Sequence, residues 1–152
     1  MTSLAARVQA LEAAFGRIQA TRMAGLPLLH PGLRVQAVGF AADGDGLAQG
    51  VLVTPWFMNL VRLPLDGDDD DAAGALPEPG QALDLPVGGW RMRFLGQHEP
   101  GLGRFAAASL VSPMSEFADQ AAALATARAV LETLRPRPAR RGFLFGAARA
   151  GG

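Results

Sequence analysis

The stretch Gly50–Pro64, with the sequence GVLVTPWFMNLVRLP, predicts the centre of the fold. Residues 51–53 are apolar and mostly β-branched, so they predict a short buried strand. Pro55 cannot donate a hydrogen bond to a sheet, so it predicts a kink, an edge or the entry of a strand. The run 56–63 predicts a second strand, whose two faces carry Trp56, Met58 and Leu60, and Phe57, Asn59 and Val61. Because both faces are apolar, we expect each to be covered by the protein core or by a partner protein.

Composition limits the class of protein. A chain of 152 residues is long enough for one domain with a hydrophobic core. Its 14 basic and 14 acidic residues balance, which argues against a general nucleic-acid-binding protein. The sequence has no cysteine, which excludes disulfide bonds, thiolate nucleophiles and cysteine-ligated metal sites. It shows neither a secretory signal pattern nor an apolar run of membrane-spanning length, so we expect a cytoplasmic protein without membrane insertion.

A helix is predicted near each end of the chain. Apolar residues recur at helical spacing from about Ser3 to Ala20, and Ser3 is suited to the N-cap. Ser112 and Pro113 predict the start of the second helix, since serine is a good N-cap and proline favours the first helical position. The apolar faces are predicted to consist of Leu4, Val8, Leu11, Phe15 and Ile18 in the first helix, and of Phe117, Ala121, Leu124, Leu131 and Leu134 in the second.

Short strands are predicted between these helices. Residues 34–40 and 83–87 each suit a strand. The alternation of apolar residues and arginine over residues 90–95 predicts a half-buried antiparallel strand, which pairs with residues 104–111. The predicted fold class is therefore α+β, an antiparallel sheet of about five strands with an N-terminal and a C-terminal helix packed on it.

The sequence predicts one domain over residues 1–135. The segment 66–80 contains the acidic run Asp68–Asp71 and no basic residue. Such a run repels itself and stays solvated, so we expect a flexible acidic loop there. Residues 136–152 are rich in arginine and have no periodicity, so we expect a disordered tail.

The sequence offers few candidates for catalysis or metal binding. His30 and His98 lie in predicted turns and lack the acidic or cysteine companions of a metal site. Asp43 and Asp45 do not have the spacing of a calcium-binding loop. No common catalytic or nucleotide-binding motif is present. We therefore predict a protein that is not an enzyme and that uses no cofactor and no metal.

Three stretches resemble the HybE/HupJ-type family of nickel–iron hydrogenase assembly chaperones. The most specific parts are TPWFMNL within residues 50–64 and the beginning of SPMSEFADQAAALATARAVL at residues 112–131. The third stretch is RMAGLPLLHPGLRVQAVGF at residues 22–40. Some members of the family join this domain to a rubredoxin, which binds iron through cysteines. Because this chain has no cysteine, the resemblance carries over no iron site.

The resemblance implies a non-catalytic cytoplasmic chaperone. Such proteins bind precursors of the small and large hydrogenase subunits, together with other maturation proteins, and delay export of the small subunit with its twin-arginine signal until assembly. Large apolar side chains exposed around a proline would suit this role. The alternative is a small-molecule or cofactor-binding domain with a pocket between the sheet and its helices. The candidate partner-binding residues are Trp56, Phe57, Met58, Asn59, Pro113, Met114, Glu116 and Phe117.

The tail contains a second candidate site. Arg140, Arg141, Phe143 and Leu144 match the RRxFL core of a twin-arginine signal. Neither a full apolar region nor a cleavage site follows, so the segment is not expected to act as an export signal. Our hypothesis is that it mimics the signal of the client and occupies the same groove when the client is absent. The alternative is a chance match in an arginine-rich tail.

Overall fold

A computed structural model of the protein describes residues 3–66 and 69–135. Its helices are α1 (Leu4–Ala20), α2 (Asp70–Gly74) and α3 (Gln120–Leu134). Its strands are β1 (Gln36–Ala42), β2 (Leu47–Val53), β3 (Met58–Pro64), β4 (Ala82–Val87), β5 (Trp90–Glu99) and β6 (Gly103–Val111). The predicted α+β class is confirmed. The proposed signal mimic in the tail, at residues 140–144, lies outside the described residues.

Within the described residues, six strands rather than about five form one sheet in the order β1-β2-β3-β6-β5-β4, with all neighbours antiparallel. β2 and β3 pair along their whole length, from Leu47 opposite Pro64 to Val53 opposite Met58. β2 also pairs with β1, and β3 with β6. The stretch 50–64 therefore lies in the middle of the sheet, and β1 and β4 are the edge strands.

The sheet separates two hydrophobic cores. Along β2, Val51 and Val53 belong to the core that α3 covers, whereas Leu52 belongs to the core that α1 covers. This is the alternation of a strand buried on both faces. The α3-side core includes Val38, Val51, Val53, Met58, Leu60, Phe94, Ala106, Ala108, Met114, Ala123 and Ala127. The α1-side core includes Leu11, Ala14, Phe15, Leu52, Trp56, Val61, Leu63, Leu102, Phe105 and Ala107.

Helix α1 has the predicted start and the predicted end. Ser3 is its N-cap, and the serine Oγ accepts a hydrogen bond from the Ala6 N–H at 3.1 Å. The Glu12 carboxylate accepts a hydrogen bond from the Ala37 N–H of the edge strand β1 at 2.8 Å. The helix is therefore fastened to the sheet by polar contacts as well as by its buried face, which carries Arg7, Leu11, Ala14 and Phe15.

The predicted strand 56–63 begins two residues later than expected, at Met58. Trp56 and Phe57 lie in the β2–β3 turn, where the Thr54 Oγ1 accepts hydrogen bonds from their N–H groups at 3.2 and 2.9 Å. The turn places Trp56 in the α1-side core, whereas Met58 belongs to the α3-side core. The prediction that Trp56 shares a face with Met58 was wrong, because side chains in a turn do not follow the pleat of a strand.

The start of the last helix also differs from the prediction. α3 begins at Gln120, and its N-cap is Asp119, whose Oδ1 accepts a hydrogen bond from the Ala122 N–H at 2.9 Å. Residues 112–119 instead form turns that bury the Met114 side chain completely. The buried face of α3 is shifted accordingly, so that Ala121 is exposed and the buried residues are Gln120, Ala123, Ala127 and Leu134.

Part of the predicted acidic loop is ordered. Asp69 is the N-cap of the short helix α2, and its Oδ1 accepts a hydrogen bond from the Ala72 N–H at 3.1 Å. Ala72 and Leu76 are buried in the α3-side core. The expectation of a flexible loop over all of residues 66–80 was therefore wrong, because these two apolar side chains anchor the segment. Residues 67 and 68 lie outside the described residues.

Candidate functional site

His30 connects the two stretches of sequence that carry the strongest resemblance to the chaperone family. Its backbone N–H donates a hydrogen bond to the Pro55 carbonyl at 2.9 Å. Its ring Nε2 lies 2.6 Å from the Phe117 carbonyl oxygen, and its Nδ1 lies 2.9 Å from the Gly32 N–H. Since a carbonyl only accepts and an N–H only donates, the proton must be on Nε2 and the lone pair on Nδ1. A single residue, through its backbone N–H and its ring, thus holds three backbone segments in one arrangement.

We call this region the His30 junction, defined as residues 26–33, 54–57 and 112–119. Residues 26–33 of the junction connect α1 to β1, and we call them the linker. The linker is also fastened next to its β1 end, at Arg34. The Gln120 side chain accepts a hydrogen bond from the Arg34 N–H at 2.9 Å and donates one to the Arg34 carbonyl at 3.3 Å. The linker therefore lies against the body of the domain.

Four aromatic rings pack together where the β2–β3 turn of the junction meets α1. The Phe15 ring of α1 lies 6.5 Å from Trp56, 5.9 Å from Phe57 and 5.9 Å from Phe105, measured between ring centroids. Trp56 and Phe57 lie 5.4 Å apart with their planes inclined at 63°. Such offset and edge-to-face pairs stabilise beyond the area that they bury. The β2–β3 turn is therefore held firmly against α1.

The junction brings together the predicted partner-binding residues, but many of them are buried. Trp56 is 8% exposed, and Met58 and Met114 are fully buried. The expected apolar surface around Trp56 and Met58 is therefore absent from the described residues, because α1 covers one face of the sheet and α3 the other. Their part in binding a partner stays a prediction. By exposure, the eight residues divide into buried Trp56, Met58, Asn59 and Met114, half-buried Phe57 and Phe117, and exposed Pro113 and Glu116.

Sequence reasoning missed two kinds of residue at this site. Leu26 and Leu28 are 39% and 49% exposed, and they precede His30 in the linker. Their signal was the apolar character of a segment that is broken by prolines and glycines. His30 itself gave no signal, because its partners are backbone groups that any sequence provides.

Outside the junction, a half-buried arginine of β3 links this strand to β2 and β4. Arg62 donates hydrogen bonds to Gln49 at 2.7 Å and to the Pro86 carbonyl at 2.8 Å, and its guanidinium lies 4.8 Å above the Phe94 ring. Burial lowers the pKa of Arg62, and the attraction of Asp43 opposes this. These contacts are structural, since the partners described for the guanidinium are all groups of the protein itself.

Two outer-strand residues form an exposed ion pair. The Arg93 Nε lies 2.9 Å from the Asp84 Oδ1, between β5 and β4. The hydrogen bond from Arg93 holds the pKa of Asp84 below its ordinary value. A pair that is open to solvent contributes little to stability, so it indicates neither a catalytic acid nor a ligand site.

The described residues do not suggest a catalytic or metal site. Within residues 3–66 and 69–135, no group of three or more histidine, cysteine, aspartate and glutamate side chains is placed to hold a metal ion. The grooves of about 470 and 410 Å³ between β1 and α3 are open to solvent and do not enclose a small molecule. No helix in the described part of the chain is long and apolar enough to cross a membrane.

Replacement of His30 by alanine is expected to lower the free energy of unfolding by about 2 kcal/mol, since the Phe117 carbonyl and the Gly32 N–H each lose a partner. We also expect faster hydrogen exchange at the amides of residues 112–119. Calorimetry and exchange measured by NMR test both effects. His98→Ala is the matched control, because His98 is exposed on β5 and its loss should cost less than about 0.5 kcal/mol. Equal effects of the two changes would contradict the junction.

Comparison with known proteins identifies the family to which this chain belongs. The family model described as NiFe-hydrogenase assembly, chaperone, HybE matches residues 6–149. Protein HoxT of Cupriavidus necator is 42% identical over 167 aligned positions, which cover 96% of this chain and 92% of that protein. Hydrogenase expression/formation protein HupT of Azotobacter chroococcum is 43% identical over 139 positions, which cover 86% of this chain and 87% of that protein.

The fold is also that of a solved structure. The solution structure of HybE from Escherichia coli superposes with a TM-score of 0.64 at 22% identity, and the match covers 90% of this chain and 80% of that one. The superposition supports the architecture of one antiparallel sheet between an N-terminal and a C-terminal helix. The family model and the relatives at about 40% identity show that this chain belongs to the HybE family of nickel–iron hydrogenase assembly chaperones.

Proposed function

We propose that this protein binds precursors of nickel–iron hydrogenase subunits in the cytoplasm, including the small subunit that carries a twin-arginine signal. In this role it coordinates maturation before export, and it catalyses no reaction itself. Its partners are the precursors of the small and large subunits, and other maturation proteins join them. The proposal starts from membership of the chaperone family and adds to it the client and the surface that binds the client.

The observation that carries the proposal is the His30 junction. It holds two exposed leucines and two half-buried phenylalanines on segments that are far apart in sequence. Leu26 and Leu28 belong to the linker, Phe57 to the β2–β3 turn and Phe117 to the segment before α3. Apolar side chains on a backbone that is already ordered bind a partner at a low entropic cost. A surface of this kind, with Glu116 exposed beside Phe117, is typical of protein recognition.

The buried members of the predicted site have a supporting role in this proposal. Trp56 packs against Phe15 beneath the turn, and Met114 fills the α3-side core beneath the segment that carries Phe117. Replacement of either residue would disturb the surface through the core. Changes at exposed leucines therefore test client binding more cleanly than changes at Trp56.

Co-purification of hydrogenase subunits with Leu28→Asp tests the proposal. We expect roughly tenfold weaker capture of subunit precursors than with the wild type, as for the loss of a central apolar contact. Leu83→Asp on the edge strand β4 is the matched control, because Leu83 is 47% exposed and Leu28 is 49% exposed. The thermal transitions of both variants must first match that of the wild type.

Each outcome of this comparison has a clear meaning. Precursors that follow the wild type and Leu83→Asp, but not Leu28→Asp, support both the client and the surface. Equal capture by all three proteins would place client binding elsewhere on the molecule. If none of them captures a hydrogenase subunit, the proposed function is wrong.

A further inference from the structure

A second surface feature lies away from the His30 junction. A groove runs between the edge strand β1 and the last turns of α3, and we call it the β1–α3 groove. One part of about 470 Å³ and another of about 410 Å³ share Gly39, Leu131 and Arg135, so they adjoin each other at these residues. The apolar lining includes Val38, Gly39, Ala41, Leu131 and Leu134, and the charged lining includes Asp43, Arg128, Glu132 and Arg135.

The local backbone fixes the shape of this groove. The pairing of β1 with β2 shifts register between Val38 and Ala41, where Gly39 has a φ of 66°. An added Cβ at Gly39 would collide with the Leu131 side chain of α3. The helix therefore lies close to the bulge, and the edge of β1 beyond it is left without a neighbouring strand. An edge strand that is left open is a surface that natural proteins cover.

We propose that residues 136–152 of the same chain lie in the β1–α3 groove. Arg135 is the last described residue, and it lines both parts of the groove, so the tail leaves the domain inside the site. A segment tethered at its own site has an effective concentration in the millimolar range. The match to the family model extends to residue 149, so most of the tail belongs to the matched region.

The chemistry of the tail fits the groove. Phe143, Leu144 and Phe145 offer apolar side chains for the floor at Leu131 and Leu134. Phe143 lies eight positions after Arg135, and an extended segment of that length spans roughly 27 Å. The tail therefore has ample length to turn and place these side chains in the groove.

Charge favours one direction for the tail. In the part of the groove that Gln36 lines, Glu132 already pairs with Arg135 at 3.3 Å, and Arg128 adds a second positive charge. At the other end lies Asp43, next to Asp45 in the β1–β2 turn. A Cβ at Gly46 would lie 3.2 Å from the Asp69 Oδ2, which shows that the second acidic segment adjoins this turn. Arg140 and Arg141 are therefore placed towards Asp43 in the proposed arrangement.

A docked tail would also compete with a client. Two arginines followed by phenylalanine and leucine would be recognised by the same groove whether they belong to the tail or to another protein. This step rests on the function proposed above, whereas the docking of the tail does not. Displacement of the tail by such a client segment would then be the first step of client binding at this groove.

Because the chain has no cysteine, a single introduced cysteine allows a specific test on the full-length protein. Ala148→Cys carrying a nitroxide label is expected to broaden the NMR signals of Gly39, Ala41 and Leu131 selectively. The amides of the β5–β6 turn, whose carbonyls contact Arg7 and Arg17 of α1 on the other face of the sheet, should keep their intensity. Uniform intensities along the domain would overturn the proposal.

Two variants and one mixture complete the test. Ala41→Trp fills the groove at an exposed position and should abolish the broadening, whereas Ala82→Trp on the opposite edge strand should not. Broadening that persists in Ala41→Trp would overturn the proposal. The mixture contains a ¹⁵N-enriched copy without the nitroxide and a nitroxide-labelled copy of natural isotope abundance. Broadening of the ¹⁵N-enriched copy would also overturn the proposal, since the occupant would then be the tail of a second molecule. A peptide of residues 138–148 should restore the intensities and its scrambled form should not, and failure of this competition would count against recognition of the sequence.

Discussion

Phe15→Ala is expected to lower the free energy of unfolding by about 4 kcal/mol, within the range for removal of a buried phenylalanine. The Phe15 side chain is 4% exposed and belongs to the α1-side core. Its ring contacts those of Trp56, Phe57 and Phe105, so the change leaves a cavity between α1 and the sheet. Urea unfolding followed by circular dichroism measures the loss of stability.

The fluorescence of Trp56 gives a second readout for this prediction. Trp90 is 56% exposed and would dominate the spectrum, so the measurement uses a Trp90→Phe background. We expect a red shift of the Trp56 emission in Phe15→Ala, because water gains access to the indole. Phe15→Leu keeps most of the volume and should cost less than about 1.5 kcal/mol. A loss of stability below 1 kcal/mol with unchanged emission, for Phe15→Ala, would show that α1 does not cover the β2–β3 turn.

Arg7→Met is expected to cost about 3 kcal/mol. Arg7 is 6% exposed, taken over the whole residue, and burial lowers the pKa of its guanidinium. Its Nε donates to the Pro64 carbonyl at 2.8 Å and its second nitrogen donates to the Leu102 carbonyl at 3.0 Å. Methionine fills the space but donates no hydrogen bond, so two buried carbonyls lose their partner, at about 1–3 kcal/mol each. Release of the guanidinium from its buried position offsets part of this loss.

Arg17→Met is the matched control for Arg7→Met. Both residues lie on α1, but Arg17 is exposed and makes one hydrogen bond, of 3.2 Å, to the Pro100 carbonyl. Its replacement should change the free energy of unfolding by less than about 0.5 kcal/mol. The comparison is made by denaturant unfolding at neutral pH, where both arginines are charged. If the two variants lose the same stability, Arg7 does not fasten the helix to the ends of β3 and of the β5–β6 turn.

The sequence predicts those elements whose signals are local. Helix α1 begins and ends as expected because Ser3 and the apolar spacing both lie within the helix itself. The start of α3 could not be predicted in this way, since Ser112 and Asp119 are both good N-caps. Burial of Met114 in the α3-side core accompanies the choice of Asp119, and that burial depends on strands far away in sequence.

The sequence also points to two segments that the structure brings together, but not to the side chains that face solvent. TPWF and SPMSEF do meet in the structure, through His30. Whether Trp56 is exposed depends on Phe15, about forty positions earlier, and no local pattern contains that contact. The role of His30 could not be recognised from the sequence. Pro55 and Phe117 bind it through their backbone carbonyl groups, and every residue has such a group.

The same carbonyl contacts affect how a surface of this kind can change over evolution. His30 holds the main chain at Pro55 and Phe117, so exposed side chains nearby, such as those of Ser115 and Glu116, are not needed to hold these segments in place. They can be exchanged one at a time while the loops keep their positions. A domain built on such a frame can change its surface by altering a few exposed residues, without a redesign of the sheet and helices that present them.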